Sequence, residues 1–312
     1  MSIYTIGTIL KEIRIEKGIS QTDMCRGLCS KPMVSYIENE MRIPHRKLIE
    51  SLFSRLGETA PVEKIPMTNS DFLRHNLEHR INSCVAIGNY DIKNMLDEYV
   101  SCKKSMTHLE KQFLEFYSTL YENKNYDKNE ETINKLSDVL KMTISDYELK
   151  TFPKRLLTTT EIFILNNIAR CKYDLGETAE AISMMMKLKE YLEKDIIEED
   201  IFASGQPMIL FNLANWIGLG GDYEQALKLS ISGLELCIKY GKLSYFTHHI
   251  FNKGYSLAKL NYKQKALEVL DFALKTYSAL NWKEIIRHAV PILNKEFGFA
   301  FDTEKLQTRK KI

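Results

Sequence analysis

His75, Glu78 and His79 spell H-x-x-E-H, a spacing that sets two imidazoles on one helical face and serves some zinc peptidases. A catalytic zinc needs a third protein ligand, and no downstream residue offers one. The segment therefore reads as a solvated helix face, and no metal is expected. His248-His249 fails more simply, because adjacent residues on a helix point ~100° apart. The six cysteines (25, 29, 84, 102, 171, 237) include no C-x-x-C pair and read as free buried thiols of a reducing compartment. The chain carries no phosphate-binding glycine loop, nucleophile elbow or catalytic carboxylate pair, so neither a cofactor nor enzyme activity is expected.

Two other groups suit binding. In the first, Lys31, Met33, Ser35, Tyr36, Asn39 and Arg42 are left outward if 31–38 is a short helix with Val34 and Ile37 facing inward. A small helix with a polar outer face fits a DNA major groove. Lys31 and Ser35 are then expected at base edges, with Tyr36, Asn39 and Arg42 near bases or backbone. Met33 shares that outer surface, and Arg14 and Gln21 are expected on phosphates. In the second group, one stripe at i, i+4, i+7 spacing reads Phe163-Asn167-Arg170, Met208-Asn212-Asn215 and His248-Asn252-Tyr255. An asparagine amide carries two donors and an acceptor, which matches the N–H and C=O groups of an extended peptide. Phe163, Met208, His248 and Tyr255 would then supply specificity, and Arg170 a partner for a terminal carboxylate, although Asp174 at i+4 competes for it. The other account is that these asparagines satisfy backbone groups of loops or neighbouring helices.

The elements that must position the first group are short and well punctuated. Ile6, Ile9, Leu10 and Ile13 make an amphipathic first helix that Lys17-Gly18 stops. Ser20 caps a second helix with Met24, Cys25 and Leu28 inside. Ser30 caps a third, with Pro32 in its first turn. Pro44 opens a fourth, carrying Leu48, Ile49, Leu52, Phe53 and Leu56 and closed by Gly57. Residues 1–60 thus resemble the Cro/repressor-like helix-turn-helix domain. The resemblance rests on Gln21, Cys25 at the helix crossing, Ser30 and Ser35-Tyr36-Ile37-Glu38. Residues 1–66 hold ten Lys/Arg against eight Asp/Glu, so one copy has a weak electrostatic footprint. That balance favours a homodimer reading two half-sites of a double-stranded DNA operator. The apolar residues Ile250, Phe251, Tyr277, Trp282, Ile285, Ile286 and Phe297 offer a partner surface for it.

The rest of the chain, with only seven prolines and fourteen glycines and almost no alternating pattern, reads as all-α. Prolines 61 and 66 mark a linker over 61–69, and 70–312 reads as a helical repeat domain. Asn167-Ile168-Ala169, Asn212-Leu213-Ala214 and Asn252-Lys253-Gly254 are each followed by a turn residue (Gly176, Gly221, Asn261) and then an alanine (Ala181, Ala226, Ala266) at identical intervals. These are helical hairpins whose small residues let two helices approach closely. Gly221-Asp222-Tyr223-Glu224-Gln225-Ala226-Leu227 resembles the tetratricopeptide (TPR) turn, Ile87-Gly88-Asn89-Tyr90-Asp91 a decayed copy of it, and residues 105–150 should supply another pair. The fold expected is a helix-turn-helix domain followed by a TPR-like α-solenoid.

The combination, with Ile6 through Arg14 and Ser30 through Gly57, resembles the Rgg/PlcR/PrgX class of peptide-pheromone-sensing regulators of Gram-positive bacteria. The resemblance implies a cytoplasmic transcriptional regulator whose repeats dimerise. It also implies that their concave face binds a short signalling peptide through helix asparagines, here Asn167, Asn212 and Asn252. A phage- or mobile-element-type repressor, whose repeats bind a protein antirepressor or only dimerise, is the alternative. The chain enters its first helix almost at once, without an export signal, and no apolar run reaches the ~20 residues of a membrane span.

Overall fold

A computed structural model describes residues 5–307, apart from 43, 59, 61–68, 87, 103–105, 125–127, 149–151, 154–155, 195, 198 and 242. The linker expected at 61–69 falls almost wholly outside the described residues. Every regular element among the described residues is a helix. The chain divides into two compact units, Met1–Gly205 and Gln206–Ile312.

The first unit opens with α1 (Ile6–Glu16), α2 (Gln21–Cys25), α3 (Lys31–Glu38) and α4 (Arg46–Arg55). Each begins on a side chain that takes up an otherwise unpaired backbone N–H. Thr5 accepts from Thr8, Ser20 from Asp23, Ser30 from Met33 and the His45 ring from Leu48. Leu10, Met24, Cys25, Leu28, Val34, Ile37, Leu48, Ile49, Leu52, Phe53 and Leu56 form one buried core, as their spacing requires. Gly7 fixes how closely α1 crosses α3. A Cβ there would lie 2.0 Å from the Ile37 carbonyl oxygen, so only glycine fits.

The unit continues through α5 (Asn69–Ala86), α6 (Lys93–Ser101), α7 (His108–Glu122), α8 (Asn129–Lys141), α9 (Thr159–Asp174) and α10 (Thr178–Leu192). The helix-turn-helix core is joined to these by charge as well as by apolar contact. Arg55 and Glu161, both buried, approach to 3.6 Å, and Arg55 also donates to the Arg26 carbonyl at 3.0 Å. Lys47 pairs with Glu78 at 2.7 Å and lies over the Phe113 ring.

The unit boundary falls within α11 (Glu199–Leu219), beside Pro207. The second unit holds the end of that helix, α12 (Tyr223–Tyr240), α13 (Leu243–Lys259), α14 (Lys263–Ala279), α15 (Lys283–Phe297) and the short α16 (Thr303–Gln307). The expected hairpin packing is present. Ala169, Ala181, Ala214, Ala226 and Ala266 are buried, and a Cβ on Gly254 would strike Leu270 at 2.7 Å. The turn positions Gly176, Gly221 and Asn261 all have left-handed backbone, at φ 86°, 99° and 65°. Asn281, at φ 60°, repeats the device between α14 and α15. Gly88, at φ 77°, makes the same pair of backward hydrogen bonds at the decayed copy.

The apolar residues of 250–297 lie in or against the core. Tyr277 and Ile286 belong to a buried C-terminal core, and Phe251, Trp282, Ile285 and Phe297 pack against it, as do Phe299 and Phe301; Ile250 is buried as well. The chain beyond α15 folds back, with Asn294 exchanging two hydrogen bonds with the Phe301 backbone at 2.8 and 2.9 Å. Tyr277, Ile286 and Ile250 thus serve the core, while Phe251, Trp282, Ile285 and Phe297 stay half-buried against it. No helix among the described residues is long and apolar enough to cross a membrane.

Candidate nucleic-acid interface and ligand site

The α3 helix presents the expected face. Lys31, Asn39 and Arg42 are exposed, Tyr36 is 44% exposed and Ser35 is half-buried. The helix ends in a tight reversal at Glu40, whose φ is 60°, with the Met41 N–H bonded back to the Tyr36 carbonyl at 2.8 Å. Met41, thrown outward by that reversal, is 70% exposed. The Asn39 amide donates to the Ser35 carbonyl at 2.8 Å, so its remaining hydrogen-bonding capacity faces solvent.

Three expected DNA contacts are placed differently. Arg14 does not reach outward. Its Nε and Nη2 donate to the two Glu38 carboxylate oxygens at 2.5 and 2.9 Å, and Nη1 donates to the Ile19 carbonyl at 3.0 Å. The reason is that Glu38 is 3% exposed, and a buried carboxylate needs a matched cation. The Gln21 amide joins the same carboxylate at 2.8 Å. Glu38 thus ties α1, α2 and α3 together, a role the spacing did not assign to it. Met33 is half-buried and packs on the core. It lies one turn before Ile37, and residues four apart share a helix face.

In the H-x-x-E-H segment Asn76 and His79 are exposed, as a solvated face requires, while His75 and Glu78 are half-buried. Glu78 accepts from Lys47 and from the Tyr99 hydroxyl, each at 2.7 Å. The His75 and His79 Nε2 atoms lie 3.2 Å apart, a separation that suits one shared proton. Burial, with Arg46 and His79 close by, holds the His75 pKa below its usual value. His45, Arg46, Lys47, Glu50, Arg74, Glu78 and Glu110 share the surrounding depression. Among the described residues no group of three or more His, Cys, Asp or Glu could hold a metal.

The asparagine stripe divides in character between the units. In the first, Asn167 is 7% exposed and donates to the Phe163 carbonyl of its own helix at 2.8 Å. That back-bond is the ordinary fate of a buried helical amide and occupies one of the two Asn167 amide donors. Arg170 is half-buried and donates to the Tyr90 hydroxyl at 2.5 Å, with Tyr90's ring under its guanidinium. Phe163 is half-buried.

In the second unit, Met208 is buried, Asn212 half-buried and Asn215 exposed. Asn252 donates to the Phe211 carbonyl at 3.5 Å, a long bond across adjacent repeats. His248 stacks on Trp282, with centroids 5.2 Å apart, and bonds the Tyr277 hydroxyl through Nδ1 at 2.9 Å. His249 is fully buried and donates through Nε2 to the Pro207 carbonyl at 2.9 Å, in space that Gly233 leaves open. Burial pushes both imidazoles down to about 4. Tyr255 donates to Glu296 at 2.9 Å and meets the Phe297 ring edge-on.

Residues 10–62 match the helix-turn-helix family description. No curated protein sequence matches the chain. The fold is similar to that of PlcR of Bacillus thuringiensis in complex with a peptide and DNA. The TM-score is 0.58 at 18% identity, over 90% of this chain and 98% of that one. The apo form of PlcR gives 0.53 at 16% identity, over 91% and 98%. ComR from S. thermophilus, in complex with DNA and its signalling peptide, gives 0.53 at 14% identity, over 95% and 100%. The chain carries a DNA-binding helix-turn-helix domain within an all-helical fold of the PlcR and ComR kind.

Proposed function

We propose that this protein is a transcriptional regulator that binds operator DNA through α3 as a homodimer, and that a short signalling peptide bound by its helical repeats sets its DNA affinity. The reading rests on the likeness of almost the whole chain to two regulators whose structures hold both DNA and a peptide. The exposed set Lys31, Tyr36, Asn39 and Arg42 supplies the chemistry of the DNA face, with Ser35 between them. Glu38 gives that face rigidity by holding α1, α2 and α3 in one arrangement. In the repeats, the half-buried Asn212 and Tyr255 and the exposed Asn215 are the stripe members within reach of a ligand. The peptide acts by binding one conformation of the chain better than another, and its leverage equals that difference in affinity.

The internal bonds of Asn167 and Asn252 favour a second reading, in which the asparagines hold repeats together. The protein is then a repressor of the phage or mobile-element type, whose repeats only dimerise or meet a protein antirepressor. Either reading requires α3 to read DNA. Fluorescence anisotropy on the chain's own upstream DNA tests it with Lys31→Ala combined with Ser35→Ala. A lost base contact costs about 1–3 kcal/mol and relaxes one operator position. Unchanged affinity and sequence preference would remove α3 from the interface.

A further inference from the structure

We infer that the second unit contains a cation-binding cage, filled in the ligand-free chain by its own Lys259, which gives way to the ammonium or guanidinium group of a ligand. Lys259 Nζ lies 5.7 Å from the Tyr223 ring centroid, 5.4 Å from that of Tyr255 and 5.3 Å from that of Phe297. Its direct partner is Glu296, at 2.9 Å. The four residues arrive from three elements: Tyr223 at the start of α12, Tyr255 on α13, and Glu296 and Phe297 at the end of α15. Three ring faces and a carboxylate converging on one point form the arrangement that recognises organic cations. An exposed lysine–glutamate pair on its own does not require it.

Two observations make Lys259 an occupant and not a structural element. Its side chain keeps 27% exposure, so the cage opens to solvent and a flexible four-carbon stem can leave without unpacking anything. Two of the three rings are fixed independently of it, and the third, Tyr223, lies against Tyr255 with ring centroids 6.5 Å apart. Tyr255 and Phe297 pack against the C-terminal core, and the Tyr255 hydroxyl is held by Glu296. The cage therefore persists when the lysine swings out. This inference deepens the peptide reading and rests on it in one respect: Tyr255 belongs to the stripe assigned to the ligand. The ligand it implies carries a lysine side chain or free N-terminus, or else an arginine.

Small cations test the cage without any peptide. Wild-type full-length protein, Lys259→Ala and Lys259→Met are titrated with n-butylammonium, n-butylguanidinium and, as a neutral control, n-butanol, at matched ionic strength, and thermal unfolding is followed. Both variants should be stabilised saturably by the cations, with half-saturation at least tenfold lower than in wild type, where Lys259 competes. Adding Glu296→Gln should weaken that response at least tenfold, and n-butanol should give none. The stronger of the two cations identifies the ligand group as amine or guanidine. Equal responses of wild type and both variants, or a response to n-butanol matching that to the cations, would overturn the cage. Lys259→Met keeps an apolar stem over the rings and guards against an alanine variant that does not fold. A chain that takes up these cations yet binds no peptide loses the peptide reading and keeps the cage. A chain that binds peptide but shows no cation response keeps the reading and loses the cage.

Discussion

Glu38 explains how a helix of eight residues can hold a fixed outer face. Its buried carboxylate accepts from Arg14 and Gln21, so one side chain sets the relative placement of three helices. Removing it strands the Arg14 guanidinium in a mostly buried place. Glu38→Ala should therefore destabilise by about 3 kcal/mol, because an uncompensated buried charge costs more than a lost surface pair. Urea unfolding of the full chain measures it, and a loss below about 1 kcal/mol, the scale of an exposed pair, would show that the clamp is idle. At this scale the sequence was readable where capping and spacing decide. Ser20, Ser30 and Pro32 fall where their chemistry requires. It was misleading for Arg14 and Met33. A charged residue on an amphipathic helix is visible in the sequence, but a buried partner 24 residues away is not. Met33 was recoverable in principle from its four-residue step to Ile37.

Helix termini carry much of what the elements do. Glu161 caps α9 by accepting from the Thr158 N–H at 2.6 Å and also faces buried Arg55 from the end of α4. Glu161→Ala removes a capping box and the carboxylate that faces buried Arg55, so a loss of about 3–5 kcal/mol is expected, read by the same urea titration. Arg55→Met combined with Glu161→Gln should recover a large part of it, since neither charge is then left buried alone. On α13 the imidazoles of His248 and His249 titrate near 4, below the ordinary histidine value of 6.5. The unfolded chain then binds more protons than the folded one between those values. Their contribution is complete above about pH 6.5 and is lost as the pH falls toward 4, up to about 3 kcal/mol for fully buried His249. Thermal unfolding between pH 7 and pH 4 should show this decline, and His249→Asn should flatten it. A stability that is level across that window would contradict the burial of these rings. The hairpin turns were legible because left-handed backbone demands glycine or asparagine at a regular interval. The use of the late aromatic residues was not, because folding back of the chain after Gly298 leaves no periodic trace.

For the molecule as a whole, the helix-turn-helix domain and the helical repeats were both readable from caps, apolar phase and recurring small residues. The asparagine stripe was readable only as a recurrence, because an amide looks the same in sequence whether it faces a groove or a neighbouring carbonyl. The proposed dimerisation rests on charge. The near balance of residues 1–66 leaves one DNA-binding module weak, and two modules held together read a longer operator. Light scattering should give twice the 36.3 kDa chain mass at micromolar concentration, and a clean monomer would contradict this arrangement. The central claim is that a peptide controls DNA binding, and one measurement meets it directly. Fluorescence anisotropy of the full chain on its upstream DNA is recorded at fixed salt, with and without synthetic peptides from the C-terminus of any small secreted open reading frame beside its gene. A coupling of about 1–3 kcal/mol, or roughly 5- to 150-fold in Kd, is the predicted result for one such peptide and not for its scrambled form. Identical DNA affinity with and without every such peptide, on DNA that the chain binds specifically, would contradict it.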